Sequence, residues 1–514
     1  MPPPAPKKWL IATSVMLGTI LEVLDTSIVN VSLPHMQGAF SASIDEITWV
    51  LTSYLIANGI VIPMTGWLSS RYGRKRYFVA SIGAFTVFSM LCGAAQNLRM
   101  MVVFRILQGL AGAAMLPSSQ AILMETFPPA EQPTAMAIWG VGLMLAPVVG
   151  PTLGGWITDT YSWRWCFYIN LPFGLLAAVM CLRYLHEASA APRTRTRPDW
   201  VGMTLLVVGI GAAQLVLDRG ERADWFDADW VWALTATAAV ALVAFVAWEL
   251  HTPQPVVQLR LLRNRGFALG CTMISFLAFI LFGSLALWPL YLQNLMGYSA
   301  AQSGWASAPR GVATGTAMFL VGRLVRRVDP RLLIAFGVVL LVIGQFAMSR
   351  FNLQLGWWQI VGPSVIQGAG LGFIFTLLST TSLARIPREQ LGNATSIYNL
   401  MRNMGASFGI AILGTLLVRR EQFHQAVLST WSSPFYGPFA RALDAIPGGA
   451  AARGRLLDLP QSAALLYGQL RAQATMLAFT DTFLVAGFVA LGILVGIAFM
   501  PYARPATGDL PASH

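Results

Sequence analysis

Residues 66–76 read GWLSSRYGRKR. Glycines punctuate the run, and Arg71, Arg74, Lys75 and Arg76 give it four positive charges with no carboxylate to balance them. The chain on either side is apolar, over 47 to 69 and 77 to 97. Each run is about 20 residues long, enough to cross a hydrocarbon core of roughly 30 Å at 1.5 Å per residue. A basic turn between two membrane-length runs is the signature of a loop held on the cytoplasmic side, where Lys and Arg accumulate.

The pattern recurs outward from this loop. Further apolar runs cover 9 to 33, 99 to 123, 134 to 158, 164 to 185, 201 to 218, 230 to 250, 267 to 292, 303 to 322, 332 to 350, 357 to 382, 392 to 418 and 477 to 500. The sequence therefore predicts an all-α polytopic membrane protein of fourteen spans. Lys7 and Lys8 precede the first run, which holds Glu22 and Asp25 and no small-residue cleavage site, so it reads as a retained span rather than a removed leader. With the N-terminus inside, the short inner segments carry most of the arginines, whereas the short outer loops hold only Arg99, Arg164, Arg219, Arg222 and Arg350. Both termini are accordingly expected in the cytoplasm. Residues 419–476 are expected to form a long outer loop, with Leu456 to Leu477 helical.

Composition excludes other classes. The 514 residues are 56% hydrophobic and 11% charged, against roughly a quarter charged in a soluble domain. The net charge of +12 is spread over short clusters without a contiguous basic face, so nucleic acid is not expected as a partner. Cys92, Cys166, Cys181 and Cys271 lie in or beside apolar runs without ligand spacing, and neither a metal nor a disulfide framework is expected. The five histidines fall outside the apolar runs, no phosphate-cradling glycine loop carries a lysine, and no nucleophile, base or ligand cluster gathers at one depth. The expectation is no enzyme, no cofactor, and energy drawn from an ion gradient.

The chain repeats itself. Gly66-Trp67-Leu68 with its basic tail is echoed by Gly322-Arg323-Leu324 with Arg326, Arg327 and Arg331, and Gln108-Gly109 by Gln367-Gly368, at an offset of about 256 to 259 positions. Spans 1–6 match 9–14, leaving 7 and 8 as an insertion. The expected divisions are 1–200 (first six-helix half and cytoplasmic linker), 201–266 (two inserted spans and linker) and 267–514 (second half). Repeated halves enclosing a mid-membrane site are the plan of many secondary transporters.

Several stretches, taken in order, carry a family resemblance. The first span reads Leu24-Asp25-Thr26-Ser27-Ile28-Val29-Asn30-Val31-Ser32-Leu33-Pro34; the loop at Gly66 to Arg76 and Arg105-Ile106-Leu107-Gln108-Gly109 follow. Then come Ala146-Pro147-Val148-Val149-Gly150-Pro151 with Gly154-Gly155, Trp163 to Pro172, and Leu217-Asp218-Arg219-Gly220 with Asp224-Trp225-Phe226. The chain resembles the fourteen-span drug:proton antiporters of the major facilitator superfamily, the EmrB/QacA branch. That resemblance implies the major facilitator fold, an inner-membrane location, and proton-coupled efflux of hydrophobic toxic compounds conferring antibiotic resistance. It also implies a periplasmic adaptor and an outer-membrane channel as partners in a tripartite pump. Ser70 stands where the family's loop motif has an aspartate, so a carboxylate latch is not carried over.

The functional candidates fall into four groups. Gly66, Arg71, Gly73 and Arg74 form a tight turn and clamp helix ends, beyond the positive-inside rule that such a cluster also obeys. Pro147, Gly150, Pro151, Gly154 and Gly155 give span 5 a small-residue face and proline-weakened backbone suited to sliding. The in-span carboxylates Glu22, Asp25 and Asp481 and the in-span Arg105 are the proton-coupling candidates, since intramembrane charges are costly and usually functional. Asp25, eight residues before Leu33, and Arg105, six after Arg99, lie roughly 12 and 9 Å from the outer span ends, so an ion pair is expected. Asn30, Gln108, Trp139, Met144, Trp288, Tyr291, Asn399 and Arg402 are candidates for an apolar cavity with few polar groups, suited to amphiphiles. Arg310 and Arg402 favour weakly acidic or neutral cargo over cations.

Overall fold

The computed structural model describes residues 5–129, 131–185, 198–325, 327–431 and 460–500. Among these there is no strand, and fourteen long helical segments cross the molecule. They are span 1 Ala5–Phe40, span 2 Asp45–Tyr72, span 3 Arg74–Ala94, span 4 Leu98–Thr126, span 5 Gln132–Thr160, span 6 Trp165–Tyr184 and span 7 Trp200–Arg219. Then follow span 8 Asp229–His251, span 9 Arg265–Leu295, span 10 Ala300–Leu324, span 11 Pro330–Met348, span 12 Trp357–Leu383, span 13 Leu391–Trp431 and span 14 Pro460–Ala498. Thirteen are both long and apolar enough to cross a membrane. Span 10 has the length, but Gln302, Ser303, Ser307, Arg310, Thr314 and Thr316 dilute its hydropathy.

Local chemistry explains where helices begin and break. Ser299 and Gln302 form a reciprocal capping box, which starts span 10 at Ala300, ahead of the apolar run at 303. Pro63 lies in a single 3-10 turn inside span 2 because its ring removes a backbone donor. Gly73 sits at φ 89°, between spans 2 and 3, a conformation that glycine adopts without penalty.

Three expected boundaries move. Span 1 does not stop at Leu33: Pro34 is accommodated and the helix continues to Phe40. Asp25 is therefore fifteen residues from that end, roughly 22 Å rather than 12. The expected loop at 419–476 is in large part helix. Span 13 has 41 residues and span 14 has 39, roughly 60 Å each, so both project well beyond a bilayer. Their projecting ends are bound together, Gln425 to Tyr467 and Glu421 to Arg471 and Thr475. The connecting residues 432–459 and the linker 186–197 lie outside the described residues.

Helix packing forms two groups and a seam. Span 1 packs on 5 and 6, and 4 on 2 and 3; span 9 packs on 13, 12 on 10 and 11, and 14 on 11 and 13. Spans 5 and 10 meet along one side of the seam, and spans 2 and 4 meet span 13 along the other. Glycine allows the closest crossings. A Cβ on Gly154 would lie 3.0 Å from the Ile28 carbonyl oxygen, and one on Gly409 would lie 2.2 Å from that of Phe279. Side chains such as Val240, Val243 and Trp305 are about 70% exposed and face outward, where lipid replaces water.

The inserted spans 7 and 8 pack on each other, and span 7 rests on spans 2 and 13. Their connecting loop ties both groups. Arg222 pairs with Asp45 at 3.0 Å, Arg219 donates to Thr48 at 2.9 Å and Asp218 accepts from Thr52 at 2.5 Å on the first side. On the second side Trp225 donates to Thr415 at 2.9 Å and Arg419 pairs with Asp224 at 3.3 Å. Asp224 and Trp225 take positive φ to make this turn.

Candidate functional site

Spans 1, 4 and 6 converge on Asp25. Arg105 donates to Asp25 Oδ2 at 2.7 Å, Gln108 Nε2 to Oδ1 at 3.0 Å and Asn170 Nδ2 to Oδ1 at 2.6 Å. The guanidinium also donates to the Val50 carbonyl at 2.9 Å and to Gln108 Oε1 at 2.9 Å, and lies 4.2 Å from the centre of the Tyr54 ring. Asn170 donates in addition to Ser89, whose hydroxyl donates to the Phe167 carbonyl. Asp25, Arg105, Gln108 and Asn170 are all fully buried. A buried carboxylate needs such compensation, since desolvation of either partner alone is costly.

Glu22 behaves differently although it is three residues away. Its Oε1 accepts from Asn58 at 3.0 Å and its Oε2 has no hydrogen-bond partner among the described residues. Asp25 is thus held by spans 4 and 6, while Glu22 is bonded to span 2. One helix face carries both, but a step of three residues turns about 60° short of a full circle, enough to separate their partners.

The remaining candidates are scattered. Asn399 crosses the seam, donating to Gln120 at 2.8 Å, close to the Thr65–Ser396 contact at 2.7 Å. Trp139 is also a seam residue, stacked 6.2 Å from Phe375 and donating to Ser119. Met144 is half-buried against the same core. Trp288 and Tyr291 lie away from the seam, inside the second group, where Tyr291 packs on Phe351, Phe479 and Phe483. Asn30 is exposed, because five residues beyond Asp25 the helix has turned by about 140°. Asp481 of span 14 accepts from Arg420 at 2.5 Å and contacts His424 at 2.8 Å, both of span 13. His424 therefore belongs to a helix rather than to the loop expected for it.

The basic loop is anchored at several points. Lys75 donates to the Leu182 carbonyl at the end of span 6 at 2.7 Å, Arg74 pairs with Glu125 of span 4, and Arg71 lies over the Trp67 ring. Ser70 turns back onto the carbonyls of Gly66 and Trp67. A Cβ on Gly66 would lie 2.3 Å from Asn393 Oδ1 and 2.7 Å from its Cα, so this glycine closes the seam onto span 13. In span 5, which runs unbroken past Pro151, a Cβ on Gly150 would lie 2.4 Å from Ser27 Oγ. Gly155 has room, with Val31 at 3.9 Å, and the side chain of Pro147 lies outside the described residues.

A family model described as Major Facilitator Superfamily matches residues 15–410. The chain belongs to that superfamily. It is 34% identical over 500 residues to the multidrug export protein EmrB of Escherichia coli (strain K12), covering 97% of this chain and 96% of the relative. It is 37% identical over 426 residues to the fatty acid resistance protein FarB of Neisseria gonorrhoeae, covering 83% and 84%. Among solved structures it resembles the proton:xylose symporter XylE, with TM-score 0.60 at 14% identity over 97% of each chain. The human organic anion transporter MFSD10 gives the same score at 14% identity, over 95% of this chain and all of that one. This superfamily member is a multi-pass inner-membrane transporter, not an enzyme.

Asn58, Ser89, Asn170, Tyr54 and Gln120 join the site without having been singled out. Asn170 had a signal in the stretch Trp163 to Pro172. The others are polar residues in apolar runs, a feature shared with many residues that only bond back to their own helix, such as Thr86.

Proposed function

We propose that this transporter expels hydrophobic or amphiphilic toxic compounds from the cell in exchange for protons, by alternating access. The observation that carries the reading is the buried Asp25–Arg105–Gln108–Asn170 network, a titratable carboxylate held by a cation that cannot give up its own proton. Protonation of Asp25 would release Arg105 and loss of that proton would recapture it, which links proton exchange to helix movement. Glu22, buried on span 1 and accepting from Asn58 of span 2, supplies a second carboxylate beside this network. The glycine contacts of Gly150 and Gly154 on span 1, and of Gly66 on span 13, are the surfaces that slide and separate.

The relatives named as multidrug export proteins support a broad cargo range. FarB, named for fatty acid resistance, supports the second reading of a dedicated exporter of one endogenous or lipid-like molecule. Both termini are cytoplasmic on this reading, and a periplasmic adaptor with an outer-membrane channel completes a tripartite pump. Inverted vesicles energised by a proton gradient test the core of it. Wild type should accumulate a fluorescent lipophilic compound, and Asp25→Asn should bind that compound without accumulating it. Normal accumulation by Asp25→Asn at wild-type expression would overturn the assignment and move attention to Glu22.

A further inference from the structure

The stretch Leu217-Asp218-Arg219-Gly220 with Asp224-Trp225-Phe226 has no part in the proton chemistry. It lies at the end of span 7 and in the connection to span 8, which bonds to both groups of helices.

Spans 2 and 13 pack directly on one another over residues 62–72 of span 2, where Gly66 meets Asn393. At Gly59 the arrangement changes. A Cβ there would lie 2.9 Å from Gln214 Nε2 of span 7 and 3.1 Å from Asn403 Nδ2 of span 13, so three spans meet at this level. From there toward Asp45, no hydrogen bond or ion pair joins span 2 to span 13 among the described residues. Both bond to the inserted hairpin instead.

The two sides are unequal. Asp45, Thr48 and Thr52 share one face of span 2 at steps of three and four residues. They take Arg222 at 3.0 Å, Arg219 at 2.9 Å and Asp218 at 2.5 Å, and the Arg219 guanidinium also lies 4.7 Å from the centre of the Trp49 ring. On span 13 the hairpin has the Trp225 to Thr415 bond and the Arg419–Asp224 pair, whose side chains are 53% and 73% exposed. Exposed pairs contribute little. The residues that reach span 13 are also strained, since Asp224 and Trp225 sit at φ 50° and 56°, a left-handed conformation that residues with a Cβ keep only where their surroundings impose it. Gly220 makes room for this turn, because a Cβ there would lie 2.7 Å from the Trp225 ring.

Rocking of one half against the other changes the distance between these ends of spans 2 and 13. A hairpin bonded to both must then let go of one, and the weaker, strained side is span 13. We propose that the inserted hairpin moves with the first half and that Asp224 and Trp225 form a latch on span 13, shut in this structure and released during each export cycle. This rests on the alternating-access reading, of which it names an element that holds one state.

The test places cysteine pairs in the full-length chain with Cys92, Cys166, Cys181 and Cys271 replaced. A short, reducible dithiol cross-linker joins each pair, and accumulation of a fluorescent lipophile in energised inverted vesicles is measured before and after reduction. E221C with G414C bridges the latch, since a Cβ on Gly414 would lie 3.2 Å from Glu221 Oε2. That link should lower accumulation about tenfold or more, with recovery on reduction, because the latch can no longer open. D45C with R222C bridges the other side, and its link should change accumulation by less than about twofold. Undiminished accumulation with the E221C and G414C link, or equal loss with both links, would overturn the proposal. A second measurement needs neither cargo nor cross-linker. W225F keeps the ring without its N–H and T415V removes the acceptor, so each should speed labelling of G414C by an impermeant external reagent about threefold, the fold-change of one hydrogen bond. Unchanged labelling in both counts equally against the latch. Failure of the wild type to accumulate the lipophile counts against export itself, and the labelling comparison then decides the latch alone.

Discussion

The crossing of spans 2 and 4 and the crossing of spans 10 and 12 have the same backbone geometry and different charged side chains. Gly109 and Gly368 permit nearly identical approaches, yet the first crossing faces the Asp25–Arg105 pair and the second holds Arg310 with no ion pair among the described residues. The contact between spans 1 and 5 is similarly repeated between spans 9 and 13, with Gly150 and Gly154 in one and Gly405 and Gly409 in the other. Duplication preserves what packing demands, because a backbone crossing tolerates only glycine. Side chains that point into the interior are free to diverge, as the Asp25–Arg105 pair in one half and Arg310 in the other show.

The largest effect expected is from the closed side. Asp25→Asn should reduce proton-driven accumulation by about a hundredfold, because it removes the carboxylate that pairs with Arg105, while cargo binding persists. Substitution of Leu at Gly154 comes next. It should reduce transport by at least tenfold with insertion and binding retained, since a side chain there meets the backbone of Ile28. Transport at wild-type rate with Leu at both Gly150 and Gly154 would reduce this contact to ordinary packing. The matching substitution at Gly409 sharpens the comparison, and should be at least as severe because its Cβ would overlap a carbonyl oxygen more closely.

Glu22→Gln should cost less, about threefold to tenfold in accumulation, since Asn58 can hydrogen-bond either side chain. An effect larger than that of Asp25→Asn would reverse the roles of the two carboxylates. Asp481→Asn should be the mildest, within about twofold, because its partners Arg420 and His424 are partly exposed and exposed pairs contribute little. Topology has its own check. A cysteine at Asp45 should react with an impermeant external reagent and one at Gln390 should not, and labelling of Gln390 from outside would invert the orientation.

Apolar run length, the basic turn at Gly66 to Arg76 and the echo of Gln108-Gly109 in Gln367-Gly368 were enough to establish the helical membrane class, the fourteen spans and the repeated halves. Those features are local or periodic, and lipid enforces them: a backbone in hydrocarbon must satisfy its own hydrogen bonds, so a long apolar run has little choice but to be a helix. The presence of Asp25 and Arg105 at compatible places was legible for the same reason. Their partners were not. Whether Asn170, Asn58 or Gln345 turns inward, to lipid or to its own helix depends on rotation and crossing angle, which the tertiary packing of many helices sets together. Trp288 and Tyr291 show the converse, since an aromatic in a span reads alike whether it lines a seam or fills a core. Only the folded chain decided that Pro34 leaves span 1 intact, that spans 13 and 14 run on past the membrane, and that Arg310 is buried with no ion pair among the described residues. Each of these turns on neighbours distant in sequence, and no local pattern records them.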